Sequence, residues 1–188
     1  MAQPVKPLRA DAARNRARVL DVAYETFAAE GLSVPIDEIA RRAGVGAGTV
    51  YRHFPTKDAL FQAVIEDQLR RLVDDGYGLL KSEGPGEALF TFLRSIVLQW
   101  GATNRGLVDA LAGIGIDIAS AAPDAEDAFL AVLDELLRAA QRAGSARPDI
   151  GVREVKSILV GCQAMEAYNS ELAGRVTEVV VDGLRAKS

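Results

Sequence analysis

Thr49, Tyr51, His53 and Lys57, in one short stretch of this 188-residue chain, supply a hydroxyl, a phenol, an imidazole and an ammonium, with Arg52 among them. Catalysis has little to draw on. His53 is the sole histidine, with no Ser, Cys or carboxylate arranged around it as a triad, so a phosphate or structural contact is its expected role. Cys162 is the sole cysteine, which excludes an internal disulfide and a zinc site of Cys and His ligands. Phosphate-binding glycine loops, a nucleophile elbow and HExxH are absent, and acidic runs such as DAED read as solvated charge. We therefore expect no enzyme, no cofactor and no metal.

Those side chains need a scaffold, and Ile36 to Phe54, IDEIARRAGVGAGTVYRHF, has the parts of a helix-turn-helix. Ala40 is small where the second helix must approach; Gly44 sits at the turn; Ile39, Val45 and Val50 are apolar where the two helices would pack. An ordinary corner of two helices shares the glycine and the apolar positions, and is the alternative from this segment alone.

Around this segment the pattern is all-α, since strand and hairpin signals are nearly absent. A first helix is expected from about Ala10 to Glu30, with Val19, Leu20, Ala23 and Phe27 on its apolar stripe, Arg14, Arg16 and Arg18 off it, and Gly31 as its stop. Short helices follow at about Ile36 to Ala43 and Ala47 to His53, then a long one opening after Thr56 and reaching Asp75 or beyond. Helices at about Glu87 to Thr103, Leu107 to Ala121, Asp124 to Ala143, Val152 to Ala173 and Val176 to Ala186 complete a bundle. The expected organisation is a flexible arm over 1–9, a helix-turn-helix domain over 10–56 and a helical body over 57–188. Charge follows the same division: nine Lys/Arg against six Asp/Glu up to Lys57, then thirteen against twenty, a basic head on an acidic body within a net charge of -4. With no membrane-length apolar run and no leader-like N-terminus, a cytoplasmic protein is expected.

The order of residues from Val19 to Leu60 resembles the TetR family of transcriptional repressors: Ala23, Phe27, Gly31, then IDEIARRAGVGAGTVYRHFPTKDAL, of which TVYRHFPTKDAL is the most telling part. The resemblance covers the first third of the chain. It implies a three-helix DNA-binding head, a body that binds ligand and dimerises, and repression of a palindromic operator relieved by a small molecule. Carried over residue by residue, it places Thr49, Tyr51, His53 and Lys57 on the DNA backbone and Ala47 and Gly48 where side chains face base edges. Those two are small, so specificity falls to Arg42, Arg52 or DNA shape. Lys6 and Arg9 are placed to follow a minor groove or to add phosphate affinity. The rival reading is a helical interaction module that has lost sequence-specific DNA binding.

Helix-turn-helix dimers bind half-sites about one helical turn apart, ~34–36 Å, or a multiple of it. The homodimer interface is expected on the last two helices, at Val155, Ile158, Leu159, Cys162, Val176, Val179, Val180 and Leu184, forming four helices across the two protomers. The protomer's own core is the competing use of those stripes. For the effector pocket, polar residues set among apolar ones single out Asn104, Asp117 and Tyr168, with Phe92, Trp100 and Met165 as walls. Gly113 and Gly115 mark either a kink or a close helix crossing.

Overall fold

The computed structural model describes residues 6–100 and 122–187, excluding the side chains of 6–10, Trp100 and Ala167. The arm at 1–5, the expected helix from Leu107 to Ala121, and Asn104, Asp117, Gly113 and Gly115 lie outside the described residues. Those described are helical throughout, with one isolated backbone bridge, Ala146 to Arg185, in place of any strand.

The helices are α1 (Lys6–Glu30), α2 (Ile36–Arg42), α3 (Ala47–His53), α4 (Lys57–Ser82), α5 (Ala88–Ser95, continued by a π-helical turn, Ile96–Trp100), α6 (Pro123–Arg142), α7 (Val152–Tyr168) and α8 (Ser170–Leu184). Two boundaries differ from the sequence reading. Helix α1 begins at Lys6 and so takes in the last four residues of the expected arm, because Pro7 falls in the first turn, where a missing N–H costs nothing. The break between α7 and α8 falls at Asn169 (φ -153°, ψ 91°) instead of near Gly174, which is helical. Asn169 takes extended backbone there without a side-chain cap bond, while Gly174 is carried inside α8 because a glycine's cost within a helix is only ~1 kcal/mol.

The chain forms two compact units, which divide after Asp67 inside α4. In the first, Val19, Leu20, Ala23, Phe27, Ile39, Ala40, Val50, Leu60 and Val64 are buried, and the Phe61 ring meets Phe27 edge-on at 5.7 Å. The opening turns of α4 thus belong with α1, α2 and α3, which moves the boundary past the expected residue 57. Thr56 caps α4 as expected, its hydroxyl oxygen accepting the Ala59 N–H at 3.1 Å.

The second unit buries Leu89, Phe90, Phe92, Val132, Leu133, Leu136, Val155 and Val181. Helix α4 comes close to α6 and α5 at Gly76: a methyl built there would lie 2.9 Å from Val132 Cγ2 and 3.4 Å from the Phe92 ring. Helix α5 is tied to α8 by two bidentate ion pairs, Arg94 on Glu178 (2.7 and 2.8 Å) and Arg185 on Glu87 (both 2.9 Å). The Arg185 guanidinium also lies 4.1 Å from the centre of the Phe90 ring.

Gly76→Val gains a few tenths of a kcal/mol in helix propensity but overpacks a stiff β-branched neighbour, at about 1–3 kcal/mol. The variant should unfold at clearly lower denaturant concentration than the parent; an unchanged midpoint would remove the close-approach account of this glycine.

Candidate nucleic-acid interface

Helix α2 ends in a pair of crossed backbone bonds, Val45 N–H to the Ala40 carbonyl (3.0 Å) and Gly44 N–H to the Arg41 carbonyl (3.1 Å). This closure needs a left-handed residue, which Gly44 provides at φ 64° and any other residue would supply at a cost of about 1–2 kcal/mol. The chain is thereby turned into α3 within four residues, 43–46. Helix α3 stops as abruptly: the Phe54 N–H donates to the Val50 carbonyl at 2.8 Å, and Pro55 follows.

Val50 and Phe54 point inward and are buried, which fixes what the rest of α3 presents. Gly48, Tyr51 and Arg52 stand at i, i+3 and i+4 on the exposed side, and the Tyr51 side of that face is 43% exposed. Thr49 and His53, one turn apart, line a shallow cleft with Asn15, Arg16, Val19, Val45, Val50 and Phe54. Lys57 opens α4 half-buried, one loop beyond α3. Among the described residues, no carboxylate pairs with Arg52 or Lys57, so both charges stand available to a partner.

Arg16 was missed by sequence reasoning, although its exclusion from the apolar stripe of α1 was the signal that could have found it. Its guanidinium lies 5.6 Å from the centre of the Phe54 ring, beside Thr49 and His53. The cleft thus carries a cation from α1 next to two donors from α3.

Arg42 departs from expectation. It was placed among the residues that read base edges, yet its guanidinium bonds the Glu30 carboxylate at the end of α1, with a second contact of 3.2 Å, and its Nε donates to Glu38 at 2.8 Å. Arg41 grips Glu38 from the other side at 2.7 and 2.8 Å. A fork of donors already matched to two carboxylates has little left to offer a base.

Residues 19–64 match the profile of bacterial regulatory proteins of the tetR family, and residues 84–186 match that of the C-terminal domain of SbtR-like transcriptional regulators. The chain belongs to the TetR family. A TetR transcription regulatory protein from Mycobacterium vanbaalenii, known from its crystal structure, is 62% identical; the alignment covers 96% of this chain and 100% of that one, with a TM-score of 0.80. The regulator SCO0520 from Streptomyces coelicolor is 34% identical over 92% of this chain and 99% of its own, with a TM-score of 0.75. SrpR, a helix-turn-helix regulator from Pseudomonas putida, is 28% identical over 95% of this chain and 79% of its own. The all-α architecture and the family expected from the first third of the chain both hold, and this is a transcriptional regulator of a family that is not one of enzymes.

In this TetR-family regulator the expected interface residues separate into two groups. Val155, Leu159, Cys162 and Leu184 are buried inside the protomer, Val155 completely, so they serve its own core and the interface expectation fails for them. Ile158 and Val180 are half-buried, while Val176 and Val179 face outward, Val179 at 71% exposure. Of the residues expected around an effector, Phe92 is packed against Gly76 and Phe129, Met165 is half-buried, and Tyr168 at 91% exposure stands in solvent rather than on a cavity wall. An open groove of about 510 Å³, lined by Leu130, Arg153, Lys156, Ser157 and Val160, contains none of them. No helix of the described residues is long and apolar enough to cross a membrane.

The hydrogen bonds from Arg41 and Arg42 hold the Glu38 carboxyl down to about 2, against an ordinary value of 4.5. A carboxyl lowered in the folded state stabilises fully above its unfolded value and loses that contribution as pH falls through its folded one. Glu38→Gln should therefore melt below the parent near neutral pH, by circular dichroism, with the gap closing as the pH approaches 2; a gap constant over that range would contradict the assignment.

Proposed function

We propose that this TetR-family chain is a repressor that binds a palindromic operator as a homodimer and leaves it when a small-molecule effector binds. The observation that carries the reading is the outward face of α3, where Tyr51 and Arg52 stand exposed and flanked by Thr49, His53 and Lys57. Such donors at the edges of a short helix grip phosphates on both sides of a groove while its centre meets the bases. Thr49, Tyr51, His53 and Lys57 take the phosphate contacts, with Arg16 added beside them. Arg52 reads a base edge, Ala47 meets a thymine methyl, and Gly48 allows close approach. The smallness of Ala47 and Gly48 also supports a second reading, a helical interaction module without sequence preference.

The dimer surface we assign lies on the outward side of α7 and α8. Among the described residues, five of the eight exposed large hydrophobic ones are there: Val160, Tyr168, Leu172, Val176 and Val179. Leu172, Val176 and Val179 follow the i, i+4, i+7 spacing of a single helical face. A concentration of that kind marks an interface, and a twofold axis lets one patch serve both protomers. The effector pocket we assign lies among the helices of the second unit, with Met165 on its wall. Release follows if effector favours a state in which the two heads no longer match the half-sites; couplings of this sort are typically 1–3 kcal/mol, about 5- to 150-fold in affinity.

Selection of bound duplexes from a random pool at two salt concentrations tests the reading. Enrichment of a palindrome with helical-turn spacing is expected, and binding without enrichment would favour the interaction module. On the selected duplex, Lys57→Ala should weaken binding to all sequences and reduce the salt slope by about one. Tyr51→Phe should weaken it without altering base preference, and undiminished affinity would remove the phenol from the phosphate contacts. Val179→Asp should sediment as a monomer, whereas a persisting dimer would move the interface off this face.

A further inference from the structure

We infer that Glu30 and Arg42 form a clamp that sets the attitude of the helix-turn-helix on α1, which makes Arg42 a positioning residue for DNA recognition. The inference rests on the DNA-binding reading above, and it reassigns a residue that sequence position alone puts beside the bases.

Three observations support it. Of the ion pairs around α2, only Glu30 with Arg42 joins two helices among the described residues; Glu38 with Arg41 and with Arg42 are contacts within α2. The pair spans twelve residues and ties the last residue of α1 to the last of α2, immediately before the turn into α3. Arg42 is also held in a fixed pose, because its Nε is engaged by Glu38 at 2.8 Å while its two terminal nitrogens face Glu30. Behind it the buried Thr26 hydroxyl lies 3.5 Å from Nη1. A planar fork bound on two edges transmits orientation, which a single flexible ammonium does not.

The placement is electrostatically odd for a head that meets DNA, since Glu30 and Glu38 bring negative charge to the rim of the helix-turn-helix. An exposed pair contributes little to global stability, so stability alone gives weak reason for it. Holding α2 and the turn at one angle to α1 gives a better one, because the pair joins α1 to α2 immediately before the chain turns into α3. The Arg16 guanidinium over Phe54 adds a contact from the middle of α1 to the end of α3, so the recognition pair is supported on α1 at two separate points.

The test uses the opposite signs of the two accounts. Glu30→Gln removes a negative charge, so simple electrostatics, or an Arg42 released to contact DNA, predicts equal or tighter binding. The clamp predicts weaker binding to the selected duplex, by about fivefold, with the salt slope and base preference unchanged. Arg42→Gln, which also gives up the bond to Glu38, should lose at least as much, and Glu30→Gln with Arg42→Gln together should be no worse than Arg42→Gln alone, since the contact to Glu30 is already gone. Arg42→Lys should rescue only partly. Amide hydrogen exchange across residues 36–53 of the full chain should speed up in Glu30→Gln. Tighter or unchanged DNA binding by Glu30→Gln, or a change of preference at one base position in Arg42→Gln, overturns the clamp. If selection yields no preferred duplex, the reading of the preceding section fails by itself, and exchange decides the clamp: unchanged protection across 36–53 in Glu30→Gln overturns it.

Discussion

A helix of seven residues does not persist alone in water, because nucleating a turn costs more than one further turn returns. Helix α3 is such a helix, Ala47 to His53, and it carries the side chains on which the proposed DNA contact rests. Its conformation must be imposed from outside. Val50 and Phe54 anchor it by burial, each large apolar side chain contributing about 1.5–3 kcal/mol when fully removed from water. The Gly44 closure sets where it begins and Pro55 where it ends, so its outward residues are fixed by elimination once the inward ones are placed.

The same division of inward and outward decides the body. Gly76 lets α4 come against Val132 and Phe92 at backbone distance, and Phe92 is held there by Phe129 at 6.2 Å between ring centres. Helices α5 and α8 are then registered by charge, since Glu87 and Arg94 on one are matched by Arg185 and Glu178 on the other at equal spacing of seven residues. With these contacts made, the apolar residues left outside collect on α7 and α8, and that surplus is the physical basis for assigning a partner surface there.

Periodicity and stop residues made most helices legible in the sequence. Ala47 to His53 was placed correctly because Gly and Pro bound it on both sides. The break at Asn169 was missed because a glycine five residues later looked the stronger stop, whereas the chain turns at Asn169 without a side-chain cap and so leaves no local signal. The stripes of α7 and α8 were visible, but a stripe reports burial and not what covers it; Val155, Leu159, Cys162 and Leu184 went to the protomer's own core. Arg42 illustrates the same gap for charge. Its neighbours in sequence suggested an open cation, while Glu30, twelve residues earlier, takes it by a contact that only the folded head creates. Thr49, Tyr51, His53 and Lys57 were proposed as donors by position, and Arg16 was not, since nothing local links α1 to the end of α3.

The lock at Arg185 has a consequence for how the end of the chain tolerates alteration. Beyond α8 the backbone returns to the α6 to α7 connection, the Ala186 N–H donating to the Ser145 carbonyl at 2.9 Å and the Arg147 N–H to the Leu184 carbonyl at 3.0 Å. The Arg185 fork meanwhile spans Glu87 and covers Phe90, a fully buried ring. Terminal segments are commonly the most expendable part of a domain and the usual place to attach a label. Here residues 185 and 186 act as a keystone, so shortening the chain before Lys187, or fusing a bulky group directly to it, strains the junction of three helices instead of decorating a loose end.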